Sequence, residues 1–281
     1  VDEREGDQER ARDGADARRS DRLIALTGRY RANCAVLALP ASDAASMLAG
    51  NAGLGAQTLT PPGTHPVILL MGEHTGVRVK FLPGSIDYRE ALVSVPWVRR
   101  RGKACGSGPL AHVSRLWLDR LAPVVGGWTF GFPKIWSRVG MSDTSYAVKS
   151  MLSRTPLLEA RFEARGEAAP VSQFGHFGVV RPIFEQPFLQ RLLLAGPSCV
   201  EVMDFGLDRA TLQPIEATIE VRDGFMAGFP AGVREVSSIE ESQFGAFRLE
   251  LSWTLTAPMS CASASSLISK TFPTRGNGGA S

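Results

Sequence analysis

The segment Gly126–Ile135, GGWTFGFPKI, sets Lys134 directly behind Phe132 and Pro133 and among Trp128, Phe130 and Trp136. Apolar surroundings disfavour the ammonium form, so an amine held there gives up its proton more readily and becomes a nucleophile near neutral pH. A free amine condenses with a ketone, and the resulting protonated imine acts as an electron sink. Proline fixes the backbone just before Lys134 and donates nothing to a sheet ladder, which suits an edge or turn beside a cavity. A second reading of the same residues is a lysine that lays its stem on apolar surface and keeps its charge in water.

Other chemistries lack their residues. The sequence has no G-x-S-x-G, Walker A, H-E-x-x-H or G-x-G-x-x-G motif. Its histidines (His65, His74, His112, His176) and cysteines (Cys34, Cys105, Cys199, Cys261) are not at metal-ligand spacing. No metal is expected, and the cysteines read as free thiols. His74, in the Gly-flanked stretch GEHTG, reads as a loop residue.

The pattern G-x-x-x-x-x-[FY]-P-K resembles the active-site segment of the acetoacetate decarboxylase family, in which the lysine after the proline forms the Schiff base. That resemblance implies that Lys134 is the imine lysine. Asp87-Tyr88-Arg89-Glu90, followed by Val93 and Pro96, is similar to the family's Y-x-E strand, which makes Glu90 the acidic partner. Ser114–Asp119 (SRLWLD), Pro123, His74-Thr75-Gly76, Arg181-Pro182 and Val236-Ser237-Ser238 are similar to further family motifs. Gly28-Arg29-Tyr30-Arg31 lies where the family has an arginine for the substrate carboxylate; Arg29 and Arg31 both remain open for that role. The resemblance covers about residues 23–258, and implies substrate-binding roles for Phe132, Trp136 and His74 beside the arginine.

The departures concern the same site. The second lysine usual in the family is replaced by Ile135, an Arg-Glu pair by Gly127 and Trp128, and a second glutamate by Leu70 or Met71. Desolvation by Phe132, Ile135 and Trp136 would then have to replace the cationic neighbour in activating the amine. The resemblance implies a Schiff-base enzyme acting on a keto acid or ketone, a carbon–carbon lyase of the acetoacetate decarboxylase type. It would need no cofactor and would assemble as a homo-oligomer. The alternatives are an aldolase or dehydratase using the same imine, and a non-catalytic member of the fold that binds an apolar ligand.

The elements that must position these residues are mostly strands. Cys34–Leu39, Val67–Met71, Tyr88–Val95, Val113–Leu118, Leu157–Ala164, Thr218–Val221 and Phe247–Leu255 are apolar runs bounded by Gly and Pro. In the last, Phe247, Leu249, Leu251, Trp253 and Leu255 alternate with Arg248, Glu250 and Ser252, a period-two pattern. Helices are expected at Ser42–Leu48, capped by Ser42 or Asp43, and at Glu185–Ala195. The fold class is therefore α+β, mainly antiparallel β, and the resemblance implies an acetoacetate decarboxylase-like β-barrel or cone.

The composition fits such a body. Of 281 residues, 44% are hydrophobic and 21% charged, enough apolar material for a core without disulfide or metal staples. A formal charge of +3 argues against nucleic acid, and the run Arg99–Arg101 with Lys103 reads as a solvated loop. No apolar stretch is long enough to span a membrane. Residues 1–22 are charged, carry no apolar core and read as disordered or as a helix that gains order only against a partner, with nothing like a signal peptide; residues 259–281 read as a flexible tail. The expected setting is cytoplasmic, with a small-molecule carbonyl substrate and neither a nucleic-acid nor a membrane partner.

Overall fold

Strands dominate the computed structural model, which describes residues 24–50, 52–100, 109–191 and 198–261. In chain order they begin with β1 (Ile24–Pro40), helix α1 (Ala41–Ser46), β2 (Ala52–Leu54), β3 (Thr64–Val79), β4 (Ile86–Arg100) and β5 (Leu110–Leu118). Helix α2 (Leu121–Thr129) leads to β6 (Lys134–Met141), β7 (Ser145–Ser150), β8 (Pro156–Ala164), β9 (Ala169–Pro170) and helix α3 (Gly175–Glu185). Then come β10 (Phe188–Arg191), β11 (Ser198–Glu201), β12 (Met203–Asp204), β13 (Thr211–Val221), β14 (Gly232–Val236), β15 (Ala246–Thr256) and β16 (Met259–Ser260).

The strands make one sheet that closes on itself. Hydrogen-bonded neighbours run β1–β3–β4–β5–β6–β7–β8–β13–β15 and back to β1. Every pairing in this ring is antiparallel except β5–β6, which is parallel. A parallel pair needs a crossover, and α2 supplies it. That crossover delivers Lys134 to the first position of β6.

Apolar residues pack on both faces of the ring, although β6 and β8 leave much of their outer face exposed, and side-chain alternation sorts the residues between the two faces. One apolar cluster draws on all nine ring strands, with Leu37, Leu69, Val93, Trp117, Val139, Tyr146, Leu158, Ile219 and Ala246 among its members; it is the inside of the ring. The other takes Tyr30, Leu70, Tyr88, Leu92, Leu116, Leu251 and Trp253 from β1, β3, β4, β5 and β15. On that outer face α3 and the segment around Phe205 form a cover. The candidate site lies beneath this cover.

Several local expectations change. The helix expected at Glu185–Ala195 instead ends at Glu185, and Phe188–Arg191 is a strand. Gln186 and Pro187 separate the two, and the residue before a proline is driven out of the helical region. Helix α1 forms, but neither Ser42 nor Asp43 caps it: the N-cap position is Pro40. Arg99 and Arg100 end β4 rather than lying in a loop, pairing with Gly53 and Ala52. Met259–Ser260, read as tail, pairs with β11. Cys34 is a buried free thiol, whereas Cys261 is disulfide-bonded, against the expectation of free thiols throughout. Residues 1–22, Arg101, Lys103 and most of the C-terminal stretch lie outside the described residues.

Candidate active site

A cavity of about 280 Å³ lies between the outer face of β1, β3, β4, β5 and β15 and the cover. From β4 it receives Ile86, Tyr88, Glu90, Leu92 and Ser94, five residues at spacing two on one face of a strand. Leu92 is in register with Leu116 on β5, and Leu116 with Lys134 on β6. Lys134 therefore enters the same cavity two strands away, and Glu90 stands one step along β4 from that row. Apart from this lysine, this glutamate and a few polar groups, the walls are hydrocarbon and aromatic.

Gly127 accounts for how the lysine fits. A Cβ built there would overlap Lys134 Cδ and Cε and lie 2.8 Å from Nζ. The helix that carries β5 into β6 thus has a bare backbone where the lysine stem crosses it. The departure from the family's Arg-Glu pair has this steric meaning. Trp128 closes the arrangement by donating its indole N–H to the Lys134 carbonyl at 3.1 Å.

The amine lies 5.7 Å from the Tyr88 ring centre and 5.8 Å from that of Phe132. Burial lowers its pKa from the ordinary lysine value, against the opposing pull of Glu90 and Glu201. Phe132 lines the cavity, as expected of an aromatic that excludes water, but Ile135 and Trp136 do not. Trp136 is 44% exposed and Ile135 is exposed too, so the desolvation comes from Tyr88, Phe132 and the cover instead. Trp136 shares Lys134's face of β6, but lies beyond the covered part of the strand.

His74 is a strand residue of β3 rather than a loop residue, and it is buried. Tyr30, His74 and Tyr88 are register partners on three adjacent strands. Their rings form a pile: Tyr30 stacks on the imidazole at 4.0 Å, Tyr88 leans against it at 4.7 Å, and Trp253 meets it edge-on at 5.2 Å. His74 Nε2 lies 2.9 Å from a Glu90 carboxylate oxygen. Burial alone would raise the Glu90 pKa, but His74 and Lys134 together outweigh it and hold the carboxyl below its ordinary value. Glu90 is therefore an anion beside the amine. Gly72 on β3 is the register partner of Glu90, and a Cβ there would overlap the Arg31 carbonyl and Ala32 of β1.

Two expected residues fall outside. Tyr30 points into the cavity, so its neighbours Arg29 and Arg31 point away by strand alternation. Arg31 pairs instead with Asp143 at 2.7 Å and Glu250 at 3.2 Å, at the surface. Neither arginine lines the cavity that holds Lys134.

One acid escaped the sequence reading. Glu201, the last residue of β11, is fully buried, and neither of its carboxylate oxygens has a hydrogen-bond partner among the described residues. Burial raises its pKa to about 9, with Lys134 pulling the other way, so it is a neutral acid at pH 7. Nothing in the stretch SCVE marks that glutamate out. The Tyr30 hydroxyl and Trp253 indole N–H are also buried and unpartnered among the described residues. No group of three or more His, Cys, Asp or Glu among the described residues is placed to hold a metal ion.

No family model matches the sequence, and no curated protein matches it either. Solved structures do. An enduracididine biosynthesis enzyme, MppR, in complex with pyruvate has a TM-score of 0.57 at 14% identity, over 84% of this chain and 90% of that one. Acetoacetate decarboxylase from Legionella pneumophila gives 0.56 at 14% identity, over 83% and 86%. The chain has the acetoacetate decarboxylase-like fold. An acetoacetate decarboxylase-like enzyme from Sphingomonas wittichii RW1 shares that fold, with a TM-score of 0.56 at 10% identity over 84% and 94% of the two chains. At these identities the likeness is one of fold. No helix among the described residues is long and apolar enough to cross a membrane.

Proposed function

We propose that this protein is a lysine-imine enzyme, in which Lys134 condenses with a ketone or aldehyde and Glu90 moves a proton at the neighbouring carbon. The observation that carries this reading is the pairing of an amine with lowered pKa and an ionised carboxylate in one apolar cavity. The neutral amine adds to the carbonyl carbon, one proton is taken up from solvent as the oxygen leaves as water, and a protonated imine remains. Glu90 then takes a proton from the α-carbon, and the C–H electron pair forms the double bond of an enamine as the imine nitrogen becomes neutral. His74, 2.9 Å from Glu90, orients the carboxylate and stabilises its charge.

Decarboxylation, aldol cleavage and dehydration all use such an imine, and they differ in what leaves the adjacent carbons. Decarboxylation of a β-keto acid, the reaction expected from the sequence, requires a carboxylate in the cavity. Among its described lining residues no arginine is present to receive one. The geometry therefore favours the lyase or dehydratase branch in which no carbon dioxide is lost.

Borohydride tests the reading, since it reduces an imine to a stable secondary amine. Incubation with a set of ketones and aldehydes should leave a mass adduct on Lys134, absent from Lys134→Arg because guanidinium stays protonated and cannot condense. Glu90→Gln should still form the adduct while slowing exchange of α-protons for deuterium by about 10²–10⁴-fold. No adduct on Lys134 from any carbonyl, or undiminished exchange in Glu90→Gln, would overturn the respective role.

A further inference from the structure

We infer that the ligand this cavity takes is a neutral ketone or aldehyde with a medium-length hydrocarbon chain, not a keto acid; the inference rests on the imine reading above. Charge balance comes first. The cavity's formally charged lining residues among those described are Lys134 and Glu90, with His74 already against Glu90. Once Lys134 becomes a protonated imine, its positive charge and the Glu90 anion balance. A carboxylate on the ligand would be a second anion next to Glu90 in an apolar enclosure, and an unpaired buried charge is strongly disfavoured. The arginines the sequence offered for it, Arg29 and Arg31, lie on the other face of β1, and Arg31 is held by Asp143 and Glu250. The unpartnered donors that do face this region, the Tyr30 hydroxyl and the Trp253 N–H, are neutral and suit a neutral oxygen.

Shape and surface point the same way. The volume of about 280 Å³ is just below the range of about 300–1,000 Å³ that drug-sized ligands occupy, and is far more than pyruvate or acetone would fill. Leu26, Ile68, Ile86, Val113, Phe184 and Leu255 supply walls for a hydrocarbon chain. The cavity's rim is apolar as well. Val79 and Ile86, which line the cavity, flank a hairpin tip carrying Phe81 (91% exposed) and Leu82 (63% exposed). Helix α2, whose Ala122, Pro123 and Gly126 line the cavity, turns Leu121 and Val125 outward. Such a rim attracts an apolar solute, with Lys80 the cation at that tip, its ammonium 5.4 Å from the centre of the Phe81 ring.

The experiment compares nonan-2-one, acetone, pyruvate and levulinate at equal concentration and pH. Lys134 adducts are counted after borohydride, and binding without borohydride is followed by calorimetry. Nonan-2-one should give at least tenfold more adduct than either keto acid and more than acetone. Stronger trapping of pyruvate or levulinate would overturn the inference while leaving the imine reading intact. Equal trapping of acetone and nonan-2-one would remove the hydrocarbon chain from it. If nonan-2-one binds by calorimetry but no carbonyl is ever trapped, the imine reading fails and the apolar ligand class stands. If nonan-2-one neither binds nor traps, the ligand class is wrong.

Discussion

Two charged clusters share β1 and have opposite fates. Arg31, Asp143 and Glu250 form a network at the surface, where water and salt screen each pair. One residue earlier, Tyr30 turns to the other face and joins His74, Glu90 and Lys134. There the same kinds of group are stripped of solvent, and the amine, Glu90 and Glu201 are pushed away from their ordinary pKa values. The surface cluster holds charges in place. The buried one shifts the ionisation of its groups through desolvation, and a single step along a strand separates the two outcomes.

The comparison breaks first at Gly127. Gly127→Ala puts a methyl group where the Lys134 stem runs, and the lysine must swing aside. Displacing a reacting atom by about 1 Å can cost about 10²-fold, so borohydride capture should fall by about that factor while circular dichroism stays unchanged. Capture at the wild-type rate would mean that the stem has another path.

A smaller effect, read as stability, belongs to Glu201. Its folded pKa of about 9 lies above the ordinary carboxylate value, so between those two values the folded state keeps a proton that the unfolded state has lost. Stability therefore falls as pH rises from about 4.5 to about 9, by about 1.4 kcal/mol per pH unit at most, and levels off above. Glu201→Gln carries no titratable group and should flatten that slope, raising the denaturation midpoint at pH 8 relative to wild type. Parallel pH profiles for the two proteins would show that Glu201 is solvated or partnered.

The smallest effect is expected at Arg31. Arg31→Ala removes the pairs with Asp143 and Glu250, which solvent screens. Thermal unfolding should shift little, and less still in 1 M salt, while Lys134 trapping with nonan-2-one is unchanged. A marked loss of trapping would place Arg31 in the ligand's path after all.

Much of the buried cluster was legible in the sequence because it follows from alternation and local composition. Tyr88, Glu90 and Leu92 fall on one face by spacing, and Phe132-Pro133-Lys134 announces an amine in apolar company. Where the reading failed, the cause was a relation between strands. Choosing between Arg29 and Arg31 left out Tyr30, whose inward side chain excludes both. Trp136 has the right parity, but the cover ends before it. His74 sits in a long strand, although the glycines around it suggest a loop. Glu201 could not be found at all: its burial depends on β10 and β11 meeting the Lys134 region, and no local pattern encodes that meeting.

Ring closure has a consequence for synthesis. The wall of the cavity includes Leu26 and Tyr30 from β1 and Trp253 and Leu255 from β15, strands paired with each other across more than two hundred residues of chain. Contacts of such sequence separation form slowly, since the intervening loop must be closed before they stabilise anything. During translation, Lys134 and Glu90 emerge well before the strand that completes their enclosure. Until β15 has left the ribosome and docked on β1, the cavity lacks the wall that Trp253 and Leu255 supply. The enclosure is in this sense a property of the finished ring: a nascent or truncated chain ending before Ala246 carries Lys134 and Glu90 without the β15 wall beside them.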